Sequence, residues 1–254
     1  MSDILIENSE GVTTVTLNRL ARKNAITASM YAELAQAVTS ANTDTACRVL
    51  LIQGHETVFS AGNDIEDFLN NPPATEDAPV FAFLRAISTC EKPVLAAVCG
   101  PAVGIGATML LHCDLVYAGD NAAFSMPFVN LGLVPEAASS LMVPHLMGYH
   151  RAAEVLLMGE PFMAEAALEV GFVNRVVAPT EVNAYARAQA LKMAKKPLTS
   201  LIATKRLLKA PTQALVQQTM ATEAKLFGPM LKAPAAREAF GAFVEKRRPD
   251  FSNL

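Results

Sequence analysis

The sequence predicts an α/β fold: a parallel-rich sheet with crossover helices, followed by a helical C-terminal section. Two observations lead there. Compact apolar runs alternate with segments of helical spacing through Leu115, and from Glu181 onward the pattern is almost wholly helical. The expected division is a core over residues 1–195 and a helical section over 196–254.

Ile4 to Asn8 and Val12 to Leu17 alternate around Glu10-Gly11, which predicts an antiparallel hairpin. Ala28 to Asn42 has helical spacing through Met30, Leu34, Ala37 and Val38, and Val49 to Gln53 reads as a strand ending at Gly54. After Ser60-Ala61-Gly62 a helix starts at Asp64, and Asn70 to Pro79, rich in Asn, Pro, Asp and Glu, reads as a mobile surface loop. A helix through Leu84, a strand from Val94, a helix through Met109 and a strand from Leu115 follow, the alternation of parallel strands with crossovers. Pro197, Pro211, Pro229 and Pro234 are expected to break the C-terminal section. Pro93 to Leu111 is uncharged and long enough for a membrane span, but Gly100-Pro101 divides it, so a buried strand, a loop and a buried helix are expected instead.

A net charge of -3 and a pI near 5.8 give no general pull toward nucleic acid or an anionic membrane. Cys47, Cys90, Cys99 and Cys113 lack metal-ligand spacing and read as reduced core residues. His55, His112, His145 and His150 form no HExxH pattern, and no GxSxG occurs, which disfavours zinc and serine hydrolases. The first residues carry no secretory pattern, and Ser252-Asn253-Leu254 lacks the basic middle residue of a Ser-Lys-Leu address; a cytoplasmic setting is expected.

Two segments place small residues between a strand and a helix: Phe59-Ser60-Ala61-Gly62-Asn63-Asp64-Ile65, and Gly100-Pro101-Ala102-Val103-Gly104-Ile105-Gly106-Ala107. The first reads either as a tight turn capped by Asp64 or as free amides facing a developing negative charge. Two converging amides would make an oxyanion hole; either turn alone means little. Glu136, in the uncharged stretch from Pro127 to Val143, is either a first-turn glutamate after a helix-starting proline or a desolvated general base. Burial would raise its pKa and a helix N-terminus would lower it.

Taken together, Phe59 to Ile65, Gly100 to Ala118 and Phe124 to Ser140 resemble the core signature of the crotonase, or enoyl-CoA hydratase/isomerase, superfamily. Asn24 to Thr27, Ala164 to Val177 and Phe243 to Arg247 extend the similarity along the chain. The resemblance implies a spiral of ββα units, a homotrimer or dimer of trimers formed through the C-terminal section, and an acyl-CoA thioester as substrate. No metal or redox cofactor is implied, since CoA belongs to the substrate. It implies that the amides of Asn63 and Ile105 form the oxyanion hole and that Ala61, Gly62, Asn63, Asp64, Ile65 and Gly104 line the substrate. It further implies that Lys23 and Ala25 sit near the adenine, and that Phe243 and Lys246 help hold CoA. Where a hydratase of this family carries two glutamates, this chain has Thr108 and Phe128; Glu136 falls where peroxisomal-type Δ3,Δ2-enoyl-CoA isomerases carry their acid/base. The reaction so implied is a double-bond shift. The alternatives are hydration, dienoyl isomerisation or thioester hydrolysis using Asp64, Glu66 or Asp67 as a second acid/base, or a non-catalytic acyl-CoA binder.

Overall fold

A computed structural model describes residues 2–71 and 77–254. Five residues of the expected loop between Asn70 and Pro79, 72–76, lie outside the described residues. The core opens with β1 (Ile4–Ser9), β2 (Val12–Leu17), α1 (Ala28–Thr43), β3 (Val49–Gln53), α2 (Ile65–Asn70), α3 (Pro79–Thr89) and β4 (Val94–Val98). It continues through β5 (Pro101–Val103), α4 (Ile105–Thr108), β6 (Leu115–Gly119), β7 (Ala123–Ser125), α5 (Ser139–Met147) and α6 (Tyr149–Ala153). Then come β8 (Phe162–Met163), α7 (Ala164–Glu169), β9 (Arg175–Val177) and the helices α8 (Val182–Ala194), α9 (Leu198–Lys209), α10 (Gln213–Met230) and α11 (Pro234–Val244).

The main sheet has the order β1-β2-β3-β4-β6-β9, antiparallel between β1 and β2 and parallel elsewhere. Its central strands are buried on both faces, which is why they read as continuous apolar runs. In β3, Leu50 and Ile52 join Met30, Leu34, Phe83 and Ile87 of α1 and α3, whereas Val49 and Leu51 face Val182, Ala186 and Ala190 of α8. The strand alternation thus divides one apolar run between two cores. Thr27 begins α1 by accepting a hydrogen bond from the Met30 amide through its side chain.

A second sheet, β5-β7-β8, was not expected. Where the sequence suggests a loop after Gly100, Pro101–Val103 pairs in parallel with Ala123–Ser125. Strands this short carry too little alternation to stand out. The helix expected through Met109 is a four-residue α-turn, Ile105–Thr108, continued by a 3₁₀ turn over Met109–His112. Pro229 does not break the last section: it lies within the final turn of α10, while Pro234 starts α11. Among the described residues no helix is long and apolar enough to cross a membrane.

The helical section is bound to the core by polar contacts as well as apolar ones. The buried Lys205 ammonium on α9 donates to Asp114 Oδ2 at 2.6 Å and to the Lys92 carbonyl at 2.7 Å. Asp114 also accepts the Val94 amide at the start of β4, so one carboxylate joins helix to sheet. Cys47, Cys90 and Cys99 are buried free thiols, and Cys113 is a partly buried one.

Candidate active site

The two small-residue turns meet beside β5. The Phe59 and Ser60 amides donate to the Pro101 carbonyl at 3.2 and 3.0 Å, and the Val103 amide returns a bond to the Ser60 carbonyl at 2.9 Å. A Cβ on Gly62, whose φ is 88°, would lie 2.8 Å from the Val103 carbonyl oxygen, so only glycine fits this approach. Gly104, with φ 55° and ψ -120°, turns the chain into α4 and leaves Ile105 as its first residue. The Ala107 and Thr108 amides return to the Gly104 carbonyl. Ile105 has no preceding helical carbonyl to reach. Among the described residues neither the Asn63 nor the Ile105 amide donates to a protein acceptor.

The strip Ala61–Ile65 is anchored on the segment before α1. Ala61 donates to the Lys23 carbonyl at 3.0 Å, Ile26 to the Gly62 carbonyl at 2.8 Å, and Asp64 to the Ile26 carbonyl at 2.9 Å. Lys23 and Ala25 therefore stand beside the strip, with Lys23 exposed. The buried Asn24 side chain, not singled out from the sequence, donates to the Phe59 carbonyl and accepts the Arg19 amide. Phe243 and Lys246 are not brought here: both are exposed at the C-terminal end of α11, with no side-chain bond to the other candidate residues.

The carboxylates near the first turn are committed to structure. Asp64 is buried, caps α2 by accepting the Asp67 amide, and pairs with Arg19 at 2.6 Å. Burial alone would raise its pKa, but the hydrogen bonds from Arg19 and Asp67 and the positive charges of Arg19 and Arg22 hold it below the ordinary value. Asp67 accepts the Ala28 amide at the start of α1, and Glu66 pairs with Arg22. The capping role of Asp64 is therefore real, and its side chain is turned into the scaffold rather than along the strip.

Glu136 is not in the first turn of a helix. Helix α5 begins at Ser139, and Ala137 and Ala138 before it both take left-handed backbone angles, φ 60° and 58°. For non-glycine residues each costs about 1–3 kcal/mol, held in place only by surrounding contacts. Those contacts are the Ser139 hydroxyl donating to the Glu136 carbonyl, His112 Nε2 donating to the Ala137 carbonyl, and the Glu223 carboxylate accepting the Ala138 and Ser140 amides. Glu136 is half-buried overall, with its carboxyl end turned inward and Oε1 accepting the Thr108 hydroxyl. Burial pushes this carboxyl up to about 8 against the lowering effect of Thr108, and the negative charge of Glu223 adds to the rise. The Tyr31 phenol, raised by burial and by the Glu136 charge, donates to Asn63 Oδ1 at 2.5 Å. Tyr31 thus joins Asn63 and Thr108 joins Glu136, the Glu136 charge reaches the Tyr31 phenol, and Ile105 opens the short helix that carries Thr108.

Sequence reading missed Tyr31, Glu223 and the roles of Thr108 and His112. Thr108, three residues beyond Ile105 on the same short helix, could have been found from that spacing; Tyr31 and Glu223, on distant helices, gave no local signal. His112 is buried and neutral, with its pKa depressed by burial to about 4.

This arrangement makes stability depend on pH. Because the folded Glu136 carboxyl titrates near 8 rather than at its ordinary 4.5, the folded state holds its proton more tightly. Its stabilisation is full below about 4.5 and is lost as pH rises toward 8. His112 acts oppositely, adding stability as pH rises from about 4 to its ordinary 6.5. Above 6.5 the Glu136 effect is thus no longer offset by His112. We expect the ligand-free Tm to fall between pH 6.5 and pH 8.5 and this fall to be smaller in Glu136→Gln, as measured by thermal denaturation across buffers.

The fold defines an enzyme of the crotonase type, with two small-residue turns that meet beside β5 and a glutamate whose carboxyl is turned inward. The chain belongs to the enoyl-CoA hydratase/isomerase family, whose sequence profile matches residues 7–253. It is 32% identical to 2,3-dehydroadipyl-CoA hydratase of Escherichia coli (strain K12), over 99% of each chain. It is 38% identical to peroxisomal enoyl-CoA delta isomerase 3 of Mus musculus, over 68% of this chain and 56% of the mouse protein. An enoyl-CoA hydratase/isomerase from Pseudoalteromonas atlantica T6c superposes with a TM-score of 0.95 at 38% identity, over 99% of this chain and 100% of that one. The relatives include both hydratases and isomerases.

Proposed function

We propose that this chain is a Δ3,Δ2-enoyl-CoA isomerase, converting 3-enoyl-CoA to trans-2-enoyl-CoA. The observation that carries this reading is the inward, proton-holding carboxylate of Glu136, while Asp64, Glu66 and Asp67 are each engaged elsewhere and the buried Glu223 is engaged at the start of α5. Hydration requires a second acid/base to handle water. Here Thr108 donates its hydroxyl to Glu136 and Phe128 is a buried hydrocarbon. A double-bond shift needs one such group.

In this mechanism the thioester oxygen rests between the amides of Asn63 and Ile105. Glu136, ionised, takes a proton from C2; the C2–H electrons move into the conjugated dienolate, whose negative oxygen the two amides stabilise. The same carboxyl returns the proton at C4 as the double bond settles between C2 and C3. The strip Ala61–Ile65 and Gly104 border the acyl thioester, and Lys23 and Ala25 lie toward the adenine. Phe243, 62% exposed in the single chain, and Lys246 complete the CoA site from a neighbouring subunit of a trimer. Leu207 and Leu208, each 76% exposed on α9, support such association.

Rates with 3-hexenoyl-CoA and 2-hexenoyl-CoA test the reading. The expected result is a kcat/KM for double-bond migration of the first at least tenfold above that for hydration of the second. A larger value for hydration would assign the site to a hydratase, and binding of both esters without turnover would make the chain an acyl-CoA binder.

A further inference from the structure

We propose that Glu223, on α10 of the C-terminal section, is a positioning residue that fixes the Glu136 turn and so couples the helical section to proton transfer. The inference rests on the isomerase reading, in which Glu136 carries the proton. Helix α5 begins after a residue that cannot cap it, since Ala138 has no side-chain acceptor. Glu223 supplies the missing cap from 83 and 85 residues away. Its Oε2 accepts the Ala138 amide at 2.6 Å, and its Oε1 accepts both the Ser140 amide at 3.0 Å and the Ser140 hydroxyl at 2.5 Å.

All three groups are donors and stabilise the carboxylate form, while burial outweighs them and holds the Glu223 carboxyl above its ordinary range. The capped residues are the second of the two left-handed alanines and the first turn of α5, immediately after Glu136. With the cap removed, nothing on α10 would oppose relaxation of Ala137 and Ala138 toward ordinary backbone angles. That relaxation would swing the Glu136 side chain away from Thr108. The groups facing this turn from the other elements are Tyr31 of α1 and His112 after α4, with Lys209 of α9 behind, its ammonium donating to the His112 carbonyl at 3.3 Å. Of the four, Glu223 is the one whose charge opposes ionisation of Glu136.

The test uses the full-length enzyme with Glu223→Ala, Glu223→Gln and Glu136→Gln. For Glu223→Ala the expected kcat is lower by about 10²-fold, the scale of misplaced reacting groups, with KM within about threefold because the CoA contacts lie elsewhere. Glu223→Gln keeps an acceptor for one amide and loses the charge, so it should fold and lose less kcat. In both variants the acid limb of the kcat/KM profile should move to lower pH, because Glu136 ionises more easily without its charged neighbour. A purely structural cap would lower the folded fraction and leave the pH limb of the remaining active enzyme in place. That result, or an unchanged kcat and pH limb in Glu223→Gln and Glu223→Ala alike, would overturn the proposal. If Glu136→Gln stays active, the base assignment itself fails; if Glu136→Gln is inactive while the Glu223 variants behave as wild type, the positioning role alone fails.

Discussion

Glu136→Gln is expected to lower kcat for double-bond migration by about 10²–10⁴-fold, the usual contribution of a general acid/base. The substitution preserves size and still offers an oxygen to the Thr108 hydroxyl, which Glu136 now accepts. What it removes is the ability to accept and return a proton. Affinity for an acyl-CoA should stay within about threefold, because the proposed ground-state contacts run through Ala61–Ile65 and the loop before α1; uniform binding and transition-state stabilisation are separable in this way. Single-turnover kinetics and calorimetric titration measure the two quantities independently. Full activity in this variant would remove Glu136 from the chemistry. In the wild type, kcat/KM should rise with pH up to about 8, since the base must first lose the proton that burial leads it to hold.

Ile105→Pro should lower kcat by about 10²–10³-fold, the cost of removing one oxyanion-hole donor. Ile105 is the first residue of α4, where proline fits the helix and where the absent N–H leaves no helical carbonyl unsatisfied. Gly104 before it already holds a backbone angle that only glycine adopts freely, and nothing lies within 4 Å of its Cβ direction. The lost Ile side chain is buried, so Ile105→Val provides the comparison: it trims the packing and keeps the amide. The expected pattern is a near-normal kcat for Val and a large loss for Pro. Equal losses in the two variants would mean that packing, rather than the amide, is what Ile105 contributes.

Much of this architecture was legible in the sequence because its central strands are apolar on both faces and its helices carry one-sided spacing. The hairpin around Glu10-Gly11 and the run Val49–Gln53 both form as expected. The second sheet was hidden: β5, β7 and β8 are two or three residues long, and pairing over that length depends on tertiary contacts. The two small-residue turns were legible through their glycines. The conformation at Glu136 was not, because alanines take the left-handed angles that glycine would have announced. One of its supports, Glu223, lies far along the chain on α10, where a lone glutamate has no local pattern to mark it. Phe243 and Lys246 were legible only through family resemblance, and a single chain leaves them in solvent.

The central claim is that one carboxyl moves a proton between two carbons of a bound thioester without engaging water. Turnover of 3-hexenoyl-CoA in water enriched in oxygen-18, followed by mass analysis of every product, tests it directly. The account predicts a single product of unchanged mass, 2-hexenoyl-CoA, with no heavy oxygen and no free acid. Heavy oxygen in a hydroxyacyl-CoA, or in a released carboxylic acid, as the main product would contradict it.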